Sequence, residues 1–492
     1  MKKSFLILFL LLGGFFCGNA EHYELTLEES IEIAKRKSYT MLRLIQDLKI
    51  AEYNLKSTKS QFKTHIDMTL SAPQYSEEVV QEKDSLGIHF YTEKQLNFFS
   101  NLTITQPLPT DGKISLESGL STMNDLRTDV RSARFNTTLR FQQPFDAFYG
   151  YNSIKARHRK AELNYEQTSK QLKREELSLI YQVSRTYYNL LSLQKSMEIA
   201  LLDLDRQKEA FEISKNKYEA GLIREVEALQ MEVDLAEAQN SYDVVILHLE
   251  SAMNSFKEMI GINLYDTLSL KSELNYKIVV IDPEKAVRLA LANRPEIREQ
   301  DIQLTIQDLN VKEQKAAGMI KTSLVAHYGK TGIAQGKDLD YMESIKNSFS
   351  NFGGPQSNYG VGLTVSIPIL DWGENRALVR ASQARLIQYE YRKKELEREI
   401  ETSVRNLAAT VSSNLKRLQQ LEKNIVVAEK SFEITLQRFA EGDIDSQSLS
   451  LERTRMNNAY RNHLSAYIDY QTSLIELMNN TFYDFEKEEL IQ

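Results

Sequence analysis

The amino-acid sequence predicts a mainly α protein with a small β part. Three observations predict this class: helix breakers are unevenly spread, long stretches carry coiled-coil spacing, and a few short stretches alternate between apolar and polar residues. The chain has 492 residues and only eight prolines. The stretches 151–260 and 374–492 contain no proline and one glycine each. Because proline and glycine interrupt helices, each stretch is predicted to form two long helices joined at its glycine.

The first of these stretches repeats apolar residues at alternating steps of three and four. This is the spacing of a coiled coil, so the helices are predicted to pack as long antiparallel pairs. One seam comprises Leu235, Ala238, Tyr242, Val245, Leu249, Ala252, Phe256 and Met259. The upstream seam comprises Ile180, Val183, Tyr187, Leu190, Met197, Leu201 and Leu204. We interpret these side chains as core and not as a ligand site.

The chain also contains an internal tandem repeat. The segment LTLEESIEIAKRKSYTM matches VIDPEKAVRLALANRPEI, and the sequence around Gly221 matches that around Gly442. Both copies open on a helix start signal, a capping box from Thr26 to Glu29 and a capping Asp282 before proline. Two copies of one unit therefore describe the chain better than three unrelated domains.

The repeat predicts the boundaries of the chain's parts. A signal peptide at 1–20 precedes a first structural repeat at 21–275, a second at 276–482 and an acidic C-terminal tail at 483–492. Each repeat ends in a helical hairpin. The hairpins are predicted at 151–261 with its tip at 221, and at 374–480 with its tip at 442.

Four stretches alternate apolar and polar residues and are predicted to be strands. They lie near 66–75, 134–144, 321–330 and 359–368. A half-buried sheet in a soluble protein shows the same alternation, but strands of about nine residues also suit a membrane. Four strands cannot close a barrel alone, and lipid tolerates no open sheet edge. A membrane role therefore requires several chains to pool their strands, and three chains with four strands each would give a 12-stranded transmembrane β-barrel.

An additional hairpin is predicted at 97–121, with its turn at Thr110-Asp111-Gly112. It could extend the barrel or displace one of the four strands. Pro107 and Pro109 favour a peripheral place, because proline donates no hydrogen bond to a sheet.

The first residues indicate export. Lys2 and Lys3 precede an apolar run and a small-residue cleavage pattern, which together are typical of a signal peptide. The chain's single cysteine, Cys17, falls in this segment, so the mature chain is predicted to have no disulfide. Lipidation of Cys17 stays open, although Phe16 occupies a position where a small residue is expected. Without Lys2 and Lys3 the basic count falls from 61 to 59 against 68 acidic residues, a net charge of −9, which argues mildly against a nucleic-acid partner.

Helix lengths add a geometric argument. At about 1.5 Å per residue, 151–220 spans about 105 Å, and 222–260 together with 41–64 spans about 95 Å. One long helix thus matches two shorter ones placed end to end, which indicates a wall far longer than a bilayer is thick.

Across nearly the whole mature chain, the sequence resembles the TolC-like outer membrane efflux protein family. The resemblance rests on the repeat, on LTLEESIEIA, on GLTVSIPILDWGENRA with its partner TTLRFQQPFDAFYGYNSIKA, and on the hairpins KYEAGLIREVEAL and RFAEGDIDSQSLS. It implies a homotrimer whose outer membrane β-barrel continues into a periplasmic α-barrel. It also implies a periplasmic adaptor (membrane fusion) protein and an inner-membrane transporter as partners.

The implied function is the outer membrane channel, or exit duct, of a tripartite efflux or type I secretion system. Such a duct is a passive conduit opened by its adaptor and pump. The alternative is a structural coiled-coil scaffold of the periplasm without channel activity.

The resemblance also assigns roles to residues. The adaptor-contact tips are Ala220, Gly221 and Leu222 in the first copy, and Glu441, Gly442 and Asp443 in the second. Family members often carry an acidic residue six positions after the tip glycine, which Glu227 matches and Ser448 does not. The possible aperture carboxylates are Glu227, Asp443 and Asp445. Solvated surface charge explains these carboxylates equally well.

An aromatic girdle is expected where the strands meet the helices. Its members are Phe145, Phe148, Tyr149 and Trp372. The other interpretation of Trp372 is an ordinary core residue.

The motifs do not predict an enzyme, a cofactor or a metal site. The GKT at Gly329 lacks the earlier glycine of a nucleotide-binding loop. The seven histidines show no HExxH spacing, and no G-x-S-x-G elbow occurs.

Overall fold

A computed structural model describes residues 22–84, 87–271, 274–337, 339–354 and 357–491. The predicted signal peptide at 1–20, and with it Cys17, lies outside these residues. The described chain forms two compact units, which we call the helical unit and the sheet unit. The helical unit comprises 22–46, 172–295 and 397–491. The sheet unit comprises 47–171 and 296–396.

Long helices alternate with groups of strands along the chain. The helices are α1 (Leu27–Lys37), α2 (Tyr39–Ser60), α3 (Asp146–Tyr149), α4 (Ser153–Glu219), α5 (Glu225–Ile260), α6 (Pro283–Asn293), α7 (Pro295–Ala317), α8 (Tyr341–Asn351), α9 (Glu374–Glu441) and α10 (Ser446–Thr481). The strands are β1 (His22–Leu25), β2 (His65–Asp84), β3 (Gly87–Pro107), β4 (Lys113–Asp125), β5 (Val130–Pro144), β6 (Thr267–Leu270), β7 (Lys321–Gly336), β8 (Ser357–Ser366), β9 (Tyr483–Asp484) and β10 (Glu489–Leu490). Among the described residues, no helix has the length and apolar character needed to cross a membrane.

The sheet unit is built on one six-stranded sheet. Its strand order is β2-β3-β4-β5-β7-β8, and every neighbouring pair is antiparallel. Strands that follow one another in the chain are therefore also neighbours in space, as short connections favour.

The expected count of four strands per chain is wrong, because the sheet has six. The four predicted strands are all present, as β2, β5, β7 and β8. The additional hairpin forms β3 and β4, which lie between β2 and β5 and pair with both. Pro107 is the last residue of β3 and Pro109 lies in the turn that follows, so neither has to donate a hydrogen bond within the ladder. The two prolines are thus compatible with a central hairpin, and the peripheral place expected for it is corrected.

The two faces of the sheet differ in character. Directly paired residues share a face, so the register places Ile66, Met68 and Leu70 of β2 on the same face as Val361 and Leu363 of β8. All five side chains are exposed in the single chain. The opposite face carries small and polar residues, including Asp67, Thr69, Asn101, Gly362 and Thr364. This alternation is the one expected of strands with lipid on one side and water on the other.

Helix α8 packs on one end of the apolar face. The ring centroid of Phe135 lies 4.2 Å from that of Phe349 and 5.0 Å from that of Phe352. The hydroxyls of Thr122 and Tyr341 lie 2.9 Å apart. A Cβ on Gly332 would lie 2.0 Å from the Ser348 carbonyl oxygen, so the helix approaches the sheet at a position where only glycine fits.

Both predicted helix caps are present in the helical unit, at the starts of α1 and α6. The Glu29 amide donates to the Thr26 hydroxyl at 3.3 Å, and the Thr26 amide donates to the Glu29 carboxylate at 2.8 Å, which confirms the capping box. Asp282 likewise accepts from the Glu284 amide at 3.0 Å. Seven predicted seam residues are buried, namely Val183, Tyr187, Leu190, Leu204, Ala238, Leu249 and Phe256. Leu201 is exposed in the single chain, whereas Leu204, the next residue of the upstream seam, is buried.

The acidic C-terminal segment folds back on itself. Strand β10 pairs antiparallel with β9, and the rings of Tyr483 and Phe485 are buried with their centroids 5.0 Å apart. Half-buried Glu486 has its pKa raised above the ordinary glutamate value, mainly because burial disfavours the charged carboxylate.

Candidate functional site

The first helical tip is a glycine turn between α4 and α5. Gly221 has a φ of 72°, a left-handed conformation that other residues adopt only at a cost. The Gly221 amide donates to the Tyr218 carbonyl at 2.9 Å, and the Leu222 amide donates to the Lys217 carbonyl at 2.9 Å. The bond from Leu222 to Lys217 is the long bond of a Schellman motif, so the turn closes the last carbonyls of α4. The Leu222 side chain is left 73% exposed.

The second tip repeats this geometry between α9 and α10. Gly442 has a φ of 92°, and the Asp443 amide donates to the Arg438 carbonyl at 3.0 Å. The backbone of the two tips is therefore alike, and their chemistry differs in the residue after the glycine. The first tip presents an apolar leucine there and the second presents a carboxylate.

The helices behind the tips are packed together by an apolar cluster. The Lys217 amino group donates to the Phe439 carbonyl and lies 4.7 Å from the centroid of the Phe439 ring. The buried members of the cluster are Ala210, Met231, Phe432, Phe439, Leu449 and Met456. The two tips are thus carried on packed helices and not on loose loops.

The three carboxylates proposed for an aperture already have partners in the single chain. The Glu227 carboxylate accepts from the Arg224 guanidinium at 2.9 Å, and Asp443 lies 3.9 Å from the guanidinium of Arg438. Asp445 caps α10 by accepting from the Ser448 amide at 2.9 Å. The Ser448 hydrogen bonds hold the pKa of Asp445 below the ordinary aspartate value.

A charged cluster that the sequence reasoning missed lies deeper between α4, α5 and α10. The Arg453 guanidinium lies 3.9 Å from the Asp203 carboxylate and 3.8 Å from the Asp234 carboxylate. Only 13% of the Arg453 side chain, 14% of Asp203 and 6% of Asp234 is exposed. The Ser450 hydroxyl also donates to Asp234. Burying three charges is costly unless they are paired, so loss of one member of this cluster is expected to destabilise the packing of the three helices.

The signal for this cluster was present in the helical spacing. Met231, Asp234 and Ala238 follow steps of three and four and are all buried, whereas the predicted seam began at Leu235, which is half-buried. An aspartate at a seam position is rare without a partner, and it could have marked the site.

The predicted aromatic girdle lies at the strand ends nearest the helices. Phe145 and Phe148 have ring centroids 6.2 Å apart, and the Tyr149 hydroxyl donates to the Ile320 carbonyl at 3.1 Å. Trp372 is 91% exposed, so it is not a core residue of the single chain. Its role at a membrane interface stays a prediction. Among the described residues, no group of three or more His, Cys, Asp or Glu side chains could hold a metal ion.

Antiparallel strands joined twice in tandem to a hairpin of very long helices define a class of protein, the channels of the bacterial outer membrane. The chain belongs to the Outer membrane efflux protein family, whose profile matches residues 31–261 and 286–481. The two matched segments confirm the internal repeat, and the family confirms the TolC-like resemblance.

Known proteins and structures agree with this placement. The chain is 21% identical to the alkaline protease secretion protein AprF of Pseudomonas aeruginosa over 73% of this chain and 71% of that protein. It is 19% identical to the outer membrane protein TolC of Vibrio cholerae, over 71% of this chain and 76% of that protein. The solved structure of VceC from Vibrio cholerae superposes with a TM-score of 0.67 at 15% identity, covering 92% of this chain and 95% of that chain. The outer-membrane channel OprN superposes with a TM-score of 0.68 at 15% identity, covering 92% and 89%.

The chain is therefore an outer membrane efflux channel with a periplasmic extension, and it is not an enzyme. Its family consists of trimeric channels of tripartite efflux and type I secretion systems. The scaffold alternative, which lacks a channel, is set aside by this membership.

Proposed function

We propose that three copies of this chain form a passive exit duct whose helical tips dock on a periplasmic adaptor protein, which connects the duct to an inner-membrane transporter. The observation that carries the proposal is Leu222. The Leu222 side chain is 73% exposed on a tight glycine turn. Exposing apolar surface to water is unfavourable, so burying this side chain against a partner would lower the free energy of the complex. Because the turn is held by the Schellman bond to Lys217, little conformational entropy is lost when a partner binds.

The second tip supports recognition by a partner that presents both apolar and basic groups. Asp443 is exposed and lies within 3.9 Å of the equally exposed Arg438. An adaptor that contacts both tips would place an apolar pocket on Leu222 and a basic group on Asp443. Charged contacts of this kind contribute more to specificity and association rate than to affinity.

Docking is tested by replacing Leu222→Glu in the full chain. We expect loss of photo-crosslinking from the neighbouring position 220 to an adaptor that also binds an inner-membrane transporter, together with loss of export. Single-channel conductance of the purified protein in planar bilayers should stay the same. The matched control is Leu264→Glu, because Leu264 is also an exposed leucine of the helical unit but lies far from the tip in sequence. Unchanged crosslinking in Leu222→Glu would refute the docking role.

The aperture role of Glu227 and Asp443 is a second part of the proposal. Carboxylates in a narrow pore favour cations, but Arg224 and Arg438 neutralise these two within the chain. We therefore expect weak cation selectivity in a KCl gradient. The replacement Arg224→Gln should shift the reversal potential further toward cation selectivity. An unchanged reversal potential would place Glu227 outside the conducting path.

A further inference from the structure

The six-stranded sheet has β2 at one edge and β8 at the other. Strands β2 and β8 stand at the ends of the strand order, so each leaves one side of its backbone without a sheet partner among the described strands. Strand β2 is 20 residues long and β8 is 10 residues long. Long edge strands with an apolar face pair readily with another strand, and lipid tolerates no unpaired edge. These two edges therefore require an occupant.

Strand direction identifies a second copy of this chain as that occupant. The six strands alternate in direction, so β8 runs opposite to β2. When β2 of a second copy lies beside β8, the antiparallel pattern continues across the seam. The apolar faces also match, since Met68 on β2 and Val361 on β8 share a face and are both exposed. An odd number of strands would have forced a parallel pair at each seam.

The hairpin of β3 and β4 is an integral part of this wall. Strand β4 pairs with β3 and β5 along its whole length, and the hydroxyls of Ser118 and Thr137 lie 3.0 Å apart across the second of these pairs. The turn after β3 is also anchored, because the Ser153 hydroxyl donates to the Asp111 carboxylate at 2.8 Å. A Cβ on Gly119 would lie 2.9 Å from the Asn136 amide oxygen, which shows how closely β4 fits its neighbour.

We propose that three copies close an 18-stranded barrel, with six strands from each chain, and not the 12-stranded barrel expected from four strands per chain. The proposal rests on the trimeric duct proposed above. With strands about 4.8 Å apart and tilted by about 40°, the backbone diameter is about 36 Å for 18 strands and about 24 Å for 12 strands. Barrels of 16 to 18 strands enclose an aqueous channel. The membrane part of this duct is therefore about half as wide again, with a polar lumen that suits bulky hydrated cargo.

Paired cysteines test the wall directly. The one native cysteine is Cys17 in the predicted signal peptide, so introduced thiols in the mature chain have no native competitor. The wall pair is Ser118→Cys with Thr137→Cys, two directly opposed residues. The seam series combines Thr69→Cys in β2 with a single cysteine at Gly360, Gly362, Thr364 or Ser366 in β8. All seam positions lie on the polar face, and the series is needed because the register across the seam is open.

The full chain is oxidised in outer membranes and read on non-reducing gels. We expect one seam combination to give a covalent species of three chains and no larger one. The wall pair, added to that combination, should lose its reactivity toward a maleimide in the same three-chain species. A covalent species of two chains as the largest product at complete oxidation would overturn the trimeric barrel. Free wall thiols in the three-chain species would place the hairpin outside the wall and overturn the 18-strand count.

Electron cryo-microscopy of the trimer in nanodiscs gives the second, independent measurement. We expect 18 strands, and a deletion of 85–129 should reduce the count to 12. A count of 12 in the undeleted chain would refute the proposal. The docking proposal can fail without affecting these results, because neither the seam nor the strand count depends on Leu222.

Discussion

The two copies of the repeat agree closely in their helices and differ in their strands. Helices α4 and α5 have 67 and 36 residues, and α9 and α10 have 68 and 36. The strand segments are different, because the first copy has β2, β3, β4 and β5 whereas the second has only β7 and β8 with α8 between them. The helical hairpins thus agree in length to within a residue, while the first copy has a strand hairpin that the second copy lacks.

This difference shows where the architecture tolerates change. Helices that pack side by side in one wall must match in length, since each unmatched turn would leave about 5.4 Å of apolar seam exposed. A sheet accepts an inserted hairpin more easily, because two added strands leave the direction of every other strand unchanged. Strand count can therefore change in pairs while helix length stays fixed.

Counted from the tip glycines, the two copies also carry opposite charges at equivalent positions. Arg453 in the second copy is equivalent to Glu232 in the first, and Arg455 is equivalent to Asp234. Because the charges differ in sign, Arg453 of the second copy can form a buried ion pair with Asp234 of the first. The largest effect is expected here. Replacing Arg453→Met would leave two aspartates buried without their cation and cost about 3–5 kcal/mol of unfolding free energy.

The measurement is urea unfolding in detergent, followed by the circular dichroism of the helices. Arg455→Met is the matched control, since the Arg455 side chain is 63% exposed and pairs with Glu452 on its own helix. Exposed pairs contribute about 0–1 kcal/mol, so the control should stay close to the parent chain. Equal effects of the two replacements would show that the buried cluster does not couple the copies.

The helix ends after the tips provide the next comparison. Gly261, with a φ of 79°, caps the C-terminus of α5, and the equivalent Phe482, with a φ of 57°, caps the C-terminus of α10. The positions are not interchangeable, because a Cβ on Gly261 would lie 2.5 Å from the Lys37 carbonyl oxygen. Gly261→Ala should cost about 3 kcal/mol, from a left-handed alanine and from overpacking. The same unfolding assay checks this value.

The cost of the left-handed backbone can be measured without the cost of overpacking at the tip residue Gly221. Gly221 has a φ of 72°, but a Cβ there would meet no atom within 4 Å. Gly221→Ala should therefore cost only about 1 kcal/mol, the conformational part alone. A similar loss in both variants would mean that the contact between Gly261 and Lys37 carries no weight.

Helix α8, which occurs in the second copy, depends on Gly332. Gly332→Ala would push a methyl group into the Ser348 carbonyl, and we expect an overpacking cost of about 1–2 kcal/mol, relieved when α8 moves off the sheet. Trypsin cleavage after Lys346 in intact trimers should become faster. Gly362→Ala in β8 is the control, because nothing lies within 4 Å of its Cβ. Unchanged cleavage in Gly332→Ala would contradict this packing.

The long helices, the tip glycines and four of the six main strands could be predicted from sequence for physical reasons. Proline and glycine interrupt helices wherever they occur, so their scarcity predicts α4 and α9 without knowledge of any neighbour. Thr26 and Asp282 act through local hydrogen bonds, which sequence also reveals. Alternation predicts the strands because each strand has one apolar and one polar face.

The remaining features depend on partners that are distant in sequence. The place of β3 and β4 depends on pairing with β2 and β5, and the two prolines argued against it until their position at the strand end was known. The ion cluster needs Asp203 and Arg453, which are 250 positions apart, to come together. Helix α8 carries a recognisable start at Asp340 but is held by Gly332, whose role is visible only in the fold.

The smallest effect is expected at the N-termini of α5 and α10, because only α10 has a side-chain capping hydrogen bond. Asp445 caps α10 through the Ser448 amide, whereas Arg224 at the equivalent position makes no capping hydrogen bond to α5. The pKa of Asp445 is lowered in the folded state. The cap therefore stabilises α10 fully at pH values above the ordinary aspartate pKa, and this stabilisation is lost as the pH falls through the lowered pKa. Amide exchange in 446–449, relative to intrinsic rates, should therefore accelerate as the pH falls below about 4, the ordinary aspartate pKa, and should do so more than in 225–228. Asp445→Ala should remove this pH dependence, and Asp445→Asn should retain the cap without it. Equal acid sensitivity of the two helix starts would show that the cap does not distinguish the copies.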